Sequence, residues 1–391
     1  MDFEYGYSCE FLTPKDMLEK NVPQLMAERG FGVFLKVFDD GLDDDYKALL
    51  QSLVDNSVYD HFFPWPLLKV EEGYYANVLS VDKFHAQMQR LLDWTASNGF
   101  DQPPAVLVDL EPPADPKEAQ KAEAVRKVQL EQGIDAANAL KAEQVAANPK
   151  KSGFDIMSTV GKLIDMIDEH MDEERFNEAT RKFDVMVDIM HDYGPKAIAV
   201  SLPWTFHDLA DKRNLIQDFM ACPVLTPKWD MVNYMTFATD LVAGTKGIIN
   251  HDDFNNLVYL WAQEFQKYHS SKGQQASMCF GITNLGITDV KAVQTDPELY
   301  RQEFSAALSA GIRQFGIYAL EGVLALDDPA HFFDVVESAQ PDFTPDPDRL
   351  ELARMVFRLI EGVDYIAPVL QYLVKSGKVM QIIQSLGGSL G

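Results

Sequence analysis

The sequence predicts a (β/α)8 barrel, the TIM-barrel class of α/β fold, and three observations carry that prediction. Short runs rich in branched and aromatic residues alternate with amphipathic stretches of 12 to 20 residues, the signature of βα units on a parallel sheet. Eight such runs can be counted, each with a helical pattern to follow it. The first run leads into "SCEFLTPKD", which lacks the glycine-rich phosphate turn expected at the start of a doubly wound open sheet, the competing architecture.

In chain order the strands are expected at 3 to 11, 31 to 38, 58 to 65, 105 to 111, 196 to 203, 231 to 238, 276 to 283 and 313 to 320. Helical periodicity falls at 14 to 29, 43 to 56, 81 to 97, 176 to 192, 206 to 220, 252 to 269, 297 to 310 and 329 to 339. The barrel then occupies residues 1 to 345, interrupted at 112 to 175 by a segment longer than a barrel connection needs. That insertion opens with "EPPADP", and within it Phe154, Met157, Gly161, Ile164 and Ile167 recur at helical spacing opposite acidic residues, so one helix face is expected to be buried. It is expected to pack on the barrel flank, or else to act as a lid or a protein-binding element. A helical C-terminal extension, 346 to 391, is expected to close the barrel or to build a contact with a partner.

Composition narrows the function. The 391 residues are 47% hydrophobic, enough for a sizeable core. The formal net charge of −26 argues against nucleic acid and anionic membrane surfaces as partners. No apolar run is long enough to span a bilayer, and "MDFEYGYSCEF" does not read as an export signal. The expected location is cytoplasmic, with an exported domain stripped of its leader as the alternative. Cys9, Cys222 and Cys279 are widely spaced within apolar segments and read as reduced core residues. Nucleotide-binding and Ser-His-Asp signatures are missing, and no cofactor is expected.

In a (β/α)8 barrel the working residues stand at the C-terminal strand ends. There the sequence offers Glu10, Asp60 with Trp65, Asp109 with Glu111, Trp204, Met235 with Phe237 and Asp240, Tyr318 and Glu321. Strand four, "AVLVDLEPP", ends in two acids. Side chains alternate along a strand, so Asp109 and Glu111 project to one side, about 6 to 7 Å apart along the strand. Carboxylates that close interact, and one of them is expected to hold a proton at neutral pH, as a general acid requires. The aromatic side chains Trp65, Trp204, Phe237 and Tyr318, with Trp229 before strand six, would supply flat faces for sugar rings. Paired acids with an aromatic rim describe a carbohydrate cleft better than a cofactor pocket.

"VLVDLEPP" resembles the fourth-strand signature of family 18 glycoside hydrolases, the chitinase-like barrels, and "WDMVNYMTFATD" resembles their sixth-strand pattern. The resemblance implies an enzyme acting on N-acetylated sugar polymers. Glu111 would be the proton donor, Asp109 the acid that orients the acetamido group, and Met235 the sixth-strand methionine. The substrate's own acetamido oxygen would be the nucleophile. The chain departs from the pattern at Leu107 and Ala238, where the family has aspartates, at Phe237, where it has tyrosine, and at Tyr318, where it usually has tryptophan. These departures support an alternative function, a barrel without turnover that serves as a carbohydrate-binding or assembly module. A third alternative, a metal-dependent sugar isomerase or lyase, draws on the oxygen ligands of Glu10, Asp60, Asp109 and Glu111 with His61, but no metal-binding motif accompanies them.

Overall fold

The computed structural model describes residues 5–113, 171–209, 214–225, 227–244, 249–284 and 293–358, with isolated positions at 120, 124, 128 and 140. Eight parallel strands form one rolled sheet: β1 (Tyr5–Cys9), β2 (Gly32–Val37), β3 (Phe62–Pro66), β4 (Ala105–Leu110), β5 (Lys196–Ser201), β6 (Met231–Met235), β7 (Gln275–Gly281) and β8 (Phe315–Tyr318). Their order is β3-β2-β1-β8-β7-β6-β5-β4, so β1 pairs with β8 and the sheet curls towards closure as a (β/α)8 barrel.

Closure falls between β3 and β4. These two strands lie side by side, but among the described residues no ladder joins them. The chain leaving β3 bridges the seam instead, with Ala76 N–H donating to Asp109 O at 2.9 Å. Further out, Gln87 donates to Val37 O at 3.0 Å and to Leu67 O at 2.7 Å, pinning the same segment to β2.

Strand alternation divides the core in two. Ala105, Leu107, Ile198, Val200, Met231 and Cys279 point into the barrel with Phe34, Phe63 and Trp65. Val106, Val108, Leu110, Ala199, Val232 and Tyr234 point outward and pack beneath the helices. Because both faces are covered, the strands read as nearly continuous apolar runs.

The helices are α1 (Pro14–Glu19), α2 (Val22–Arg29), α3 (Asp44–Asp55), α4 (Val81–Ser97), α5 (Glu173–Tyr193), α6 (Leu215–Phe219), α7 (Ala238–Gly244), α8 (His251–Ser271), α9 (Pro297–Ser309), α10 (Leu320–Leu324) and α11 (Pro329–Glu337). The helix expected over 14 to 29 breaks at Asn21, which adopts φ 55°, because Pro23 lacks the N–H that would continue the α1 ladder. The helix expected over 206 to 220 is a 3-10 turn, Pro203–Leu209, followed by α6. No described helix is long and apolar enough to cross a membrane.

Strand three starts later than the sequence suggests. Tyr59–His61 form a 3-10 turn before β3, and Val33 pairs with Phe62 as the first register contact. Asp60 and His61 therefore stand at the N-terminal end of the barrel, where the Tyr59 hydroxyl donates to Asp101 O at 2.6 Å. Almost all of the 112 to 175 insertion, including its apolar pattern from Phe154 to Ile167, lies outside the described residues, as does the C-terminal extension from 359 onward. The described start of that extension, helical over 347 to 358, packs on the barrel flank: Arg349 pairs with Asp253, and the Phe357 ring meets His207 edge-on at 4.6 Å.

At the C-terminal ends of β7 and β8 the backbones approach closely. Thr283 N–H donates to Tyr318 O at 2.8 Å, and a Cβ added at Gly322 would lie 1.9 Å from Thr283 O. Gly322→Ala is therefore expected to push α10 off this wall and to cost at least the ~1–3 kcal/mol of a typical overpacked site. A drop in the urea midpoint with unchanged m-value would show it; an unchanged midpoint would contradict the close approach.

Candidate active site

A cavity of about 150 Å³ opens at the C-terminal mouth of the barrel. Asp109 and Glu111 line it together with Leu107, from one wall of strand four and its continuation, as alternation requires. Glu10, Trp65, Met235, Phe237 and Tyr318 line it too, so seven of the side chains singled out in the sequence meet in one space. Ser8, Phe34, Tyr75, Asn233 and Cys279 complete much of the lining. No lysine, arginine or histidine is found among the described lining residues.

Asp109 is the deeper of the two strand-four acids, 2% exposed, whereas Glu111 is half-buried at the rim. Burial is the main force that pushes the Asp109 carboxyl well above its ordinary pKa, and the charges of Glu111 and then Glu10 add to it. The Trp65 indole acts in the opposite sense, its N–H dipole facing the carboxylate short of strict hydrogen-bond geometry. Among the described residues, Asp109 Oδ1 and Trp65 Nε1 have no hydrogen-bond partner. Burial and the neighbouring charges thus favour the neutral form of the Asp109 carboxyl.

Glu10 is held by a clamp. The Tyr74 hydroxyl donates to Oε1 at 2.6 Å and the Tyr318 hydroxyl donates to Oε2. Glu321 lies behind: its Oε1 accepts the N–H groups of Glu10 at 3.0 Å and Phe11 at 2.9 Å, fixing the end of β1. Burial raises the Glu321 pKa to about 7, and the Glu10 charge adds while these N–H groups oppose. Tyr74 precedes by two residues the Ala76 that bonds Asp109 O, so one short segment fixes both acids.

Asp60, Trp204, Glu321 and Trp229 stand elsewhere or act indirectly. Asp60 lies at the opposite end of the barrel. Trp204 sits in the 3-10 turn after β5 and packs edge-on against Trp261 of α8 at 5.3 Å, in the outer core. Glu321 supports β1 and does not line the cavity. Asp240 falls in α7, and its side chain lies outside the described residues. Trp229, expected at the rim, is buried against Phe183 of α5 at 6.0 Å. Sequence reasoning missed Ser8 and Asn233, although each is two residues from a side chain it did select, Glu10 and Met235, and alternation would have found them. Tyr74 and Tyr75 sit in an irregular loop that carries no periodic signal.

Burial, with Asp109 adding, pushes the Cys279 thiol well above its ordinary pKa, which favours the thiol over the nucleophilic thiolate. No three His, Cys, Asp or Glu side chains among the described residues are placed to share a metal ion.

No protein-family model and no curated protein sequence matches the chain. Among solved structures it is similar to the glycoside hydrolase domain of PgaB (BpsB) from Bordetella bronchiseptica, at 12% identity over 85% of this chain and 99% of that one, with a TM-score of 0.44. It is similar also to a trimodular endoglucanase of subfamily GH5_4, at 9% identity over 86% of this chain and 60% of that one, TM-score 0.49. A third is D-allulose 3-epimerase from Methylomonas sp., at 10% identity over 93% of this chain and 96% of that one, TM-score 0.39.

Tyr318→Phe is expected to cost about 1–3 kcal/mol by withdrawing a donor from buried Glu10. Chemical denaturation checks this, and no loss would argue against the clamp. A separate buried acid, Glu303, accepts from Gln294 at 3.1 Å, and burial raises its pKa from 4.5 to about 8. A raised folded pKa means that the folded state holds the extra proton, so this contribution is present below pH 4.5 and is lost as pH rises towards about 8. Unfolding free energies measured across that window are expected to fall less steeply in Glu303→Gln than in the wild type; parallel curves would contradict the assignment.

Proposed function

We propose that the barrel binds carbohydrate and hydrolyses a glycosidic bond in N-acetylated sugar polymers, with Glu111 as general acid and Asp109 as its acetamido-orienting partner. The observation that carries this is that both acids stand on one wall of the aromatic-lined cavity at the barrel mouth, the deeper one strongly desolvated. Such a pair shares one proton, which desolvation favours on Asp109 at rest and which passes to the accessible Glu111 when substrate enters.

Glu111, at the rim, reaches a leaving-group oxygen on the solvent side. As the C1–O bond of the sugar breaks, that oxygen takes the proton that Glu111 delivers. The acetamido oxygen forms a bond to C1, and the Asp109 carboxylate, its proton now passed on through Glu111, accepts a hydrogen bond from the acetamido N–H and so orients the group. Water then attacks C1, displaces the acetamido oxygen and returns a proton to Glu111, so that the acid is restored. Trp65, Tyr75 and Tyr318 supply ring faces around the sugar.

One observation favours a second function, a barrel that binds sugar without turning it over. Phe237 lines the cavity and packs beside Tyr318 at a ring separation of 5.9 Å, yet it offers no hydroxyl to the reacting group.

Hydrolysis of fluorogenic N-acetylglucosamine oligomers by the wild type and by Glu111→Gln separates the two, with binding measured in parallel. The expected outcome is wild-type turnover that falls on the order of 10²–10⁴-fold in Glu111→Gln while binding persists. Binding without wild-type turnover would transfer the weight to the second function.

A further inference from the structure

Alternation along β6 turns Met231, Asn233 and Met235 into the barrel and Val232 and Tyr234 outward. Asn233 is thus an amide on a wall it shares with two methionines. It is 4% exposed and lines the cavity, and its Oδ1 has no hydrogen-bond partner among the described residues. Space for the amide is made on β8, where Gly316 stands opposite: a Cβ there would lie 3.1 Å from Asn233 Nδ2 and 2.9 Å from Cys279 Sγ. A buried amide acceptor left unpaired costs about 1–3 kcal/mol, a cost that an apolar residue of the same size would not carry.

Trp65 Nε1 on β3 faces the Asp109 carboxyl on β4, whereas Asn233 Oδ1 on β6 is left without a hydrogen-bond partner among the described residues. It asks for an occupant with a hydrogen-bond donor. Glu10 and Glu111 in the lining repel an anionic occupant, and the Lys36 ammonium, on the same face of β2 as Phe34, is engaged over the Phe11 and Phe38 rings. A neutral, polyhydroxylated ring meets both demands.

We propose that Asn233 is the specificity-determining residue of this cavity, its side-chain oxygen accepting a hydrogen bond from one hydroxyl of a neutral sugar ring. The assignment rests on the carbohydrate function above and adds the atom that selects among sugars. A site built to bond a hydroxyl rejects the analogue that lacks it, because the buried partner is then left unpaired.

The test is calorimetric binding of methyl N-acetyl-β-glucosaminide, methyl β-glucoside and their monodeoxy analogues, each lacking one ring hydroxyl, to the wild type, Asn233→Leu and Asn233→Ala. The wild type is expected to reject one deoxy analogue by on the order of 10²-fold. In both variants that discrimination is expected to collapse to within about threefold while the same analogue is still bound. Thermal unfolding should find Asn233→Leu no less stable than the wild type, as expected where the amide has no partner within the protein. Equal wild-type binding of parent and every deoxy analogue would overturn the proposal and leave the carbohydrate function standing, as would discrimination that survives in both variants. A wild type that binds none of these sugars would overturn the carbohydrate function, and the role of Asn233 with it.

Discussion

The hydrogen bond from Ala76 N–H to Asp109 O is the contact on which the site depends. Rolling eight parallel strands into a barrel leaves one junction to be made last, and here β3 and β4 meet without a ladder. The connecting segment supplies the missing backbone donor, and in doing so it brings Tyr74 over Glu10 and Tyr75 to the cavity rim. Barrel closure and the placement of the acids are consequences of one short stretch of chain.

The interior chemistry follows from that enclosure. A cavity this small, walled by Phe34, Trp65, Leu107 and Val200, offers a carboxylate little solvation, so charge inside it is expensive. The fold answers in two ways. Glu10 receives two phenol hydroxyls, whereas Asp109 receives no comparable pair and is driven towards its neutral form. The same pressure acts at Glu303 and Glu321, which lie outside the cavity lining, so a raised pKa marks burial here and only geometry marks the site.

Much of this was legible in the chain because strand alternation is a local rule. "AVLVDLE" announced its own inward face, and Leu107, Asp109 and Glu111 do share a wall. Asp60 misled because the apolar run "VYDHFFPW" contains a polar turn whose placement before the strand depends on where Val33 pairs, a contact between distant residues. Trp204 and Trp229 misled for a different reason: an indole at a strand end suits a sugar platform and an outer core equally well, and their partners Trp261 and Phe183 lie on helices far along the sequence. Tyr74 could not be found by pattern at all, since its role arises only when the seam closes.

The charged side chains among the described lining residues of the cavity are all acidic, and that bears on how a ligand would arrive. With a formal charge of −26 over the chain, the net field would slow the approach of an anionic ligand, and that repulsion would weaken as salt shortens the Debye length. A neutral glycan carries no charge for this field to act on, so its encounter rate is set by diffusion and orientation and stays nearly constant across ionic strength. On the proposed carbohydrate function, anions would be selected against in the approach, at a distance, and neutral sugars distinguished only at contact.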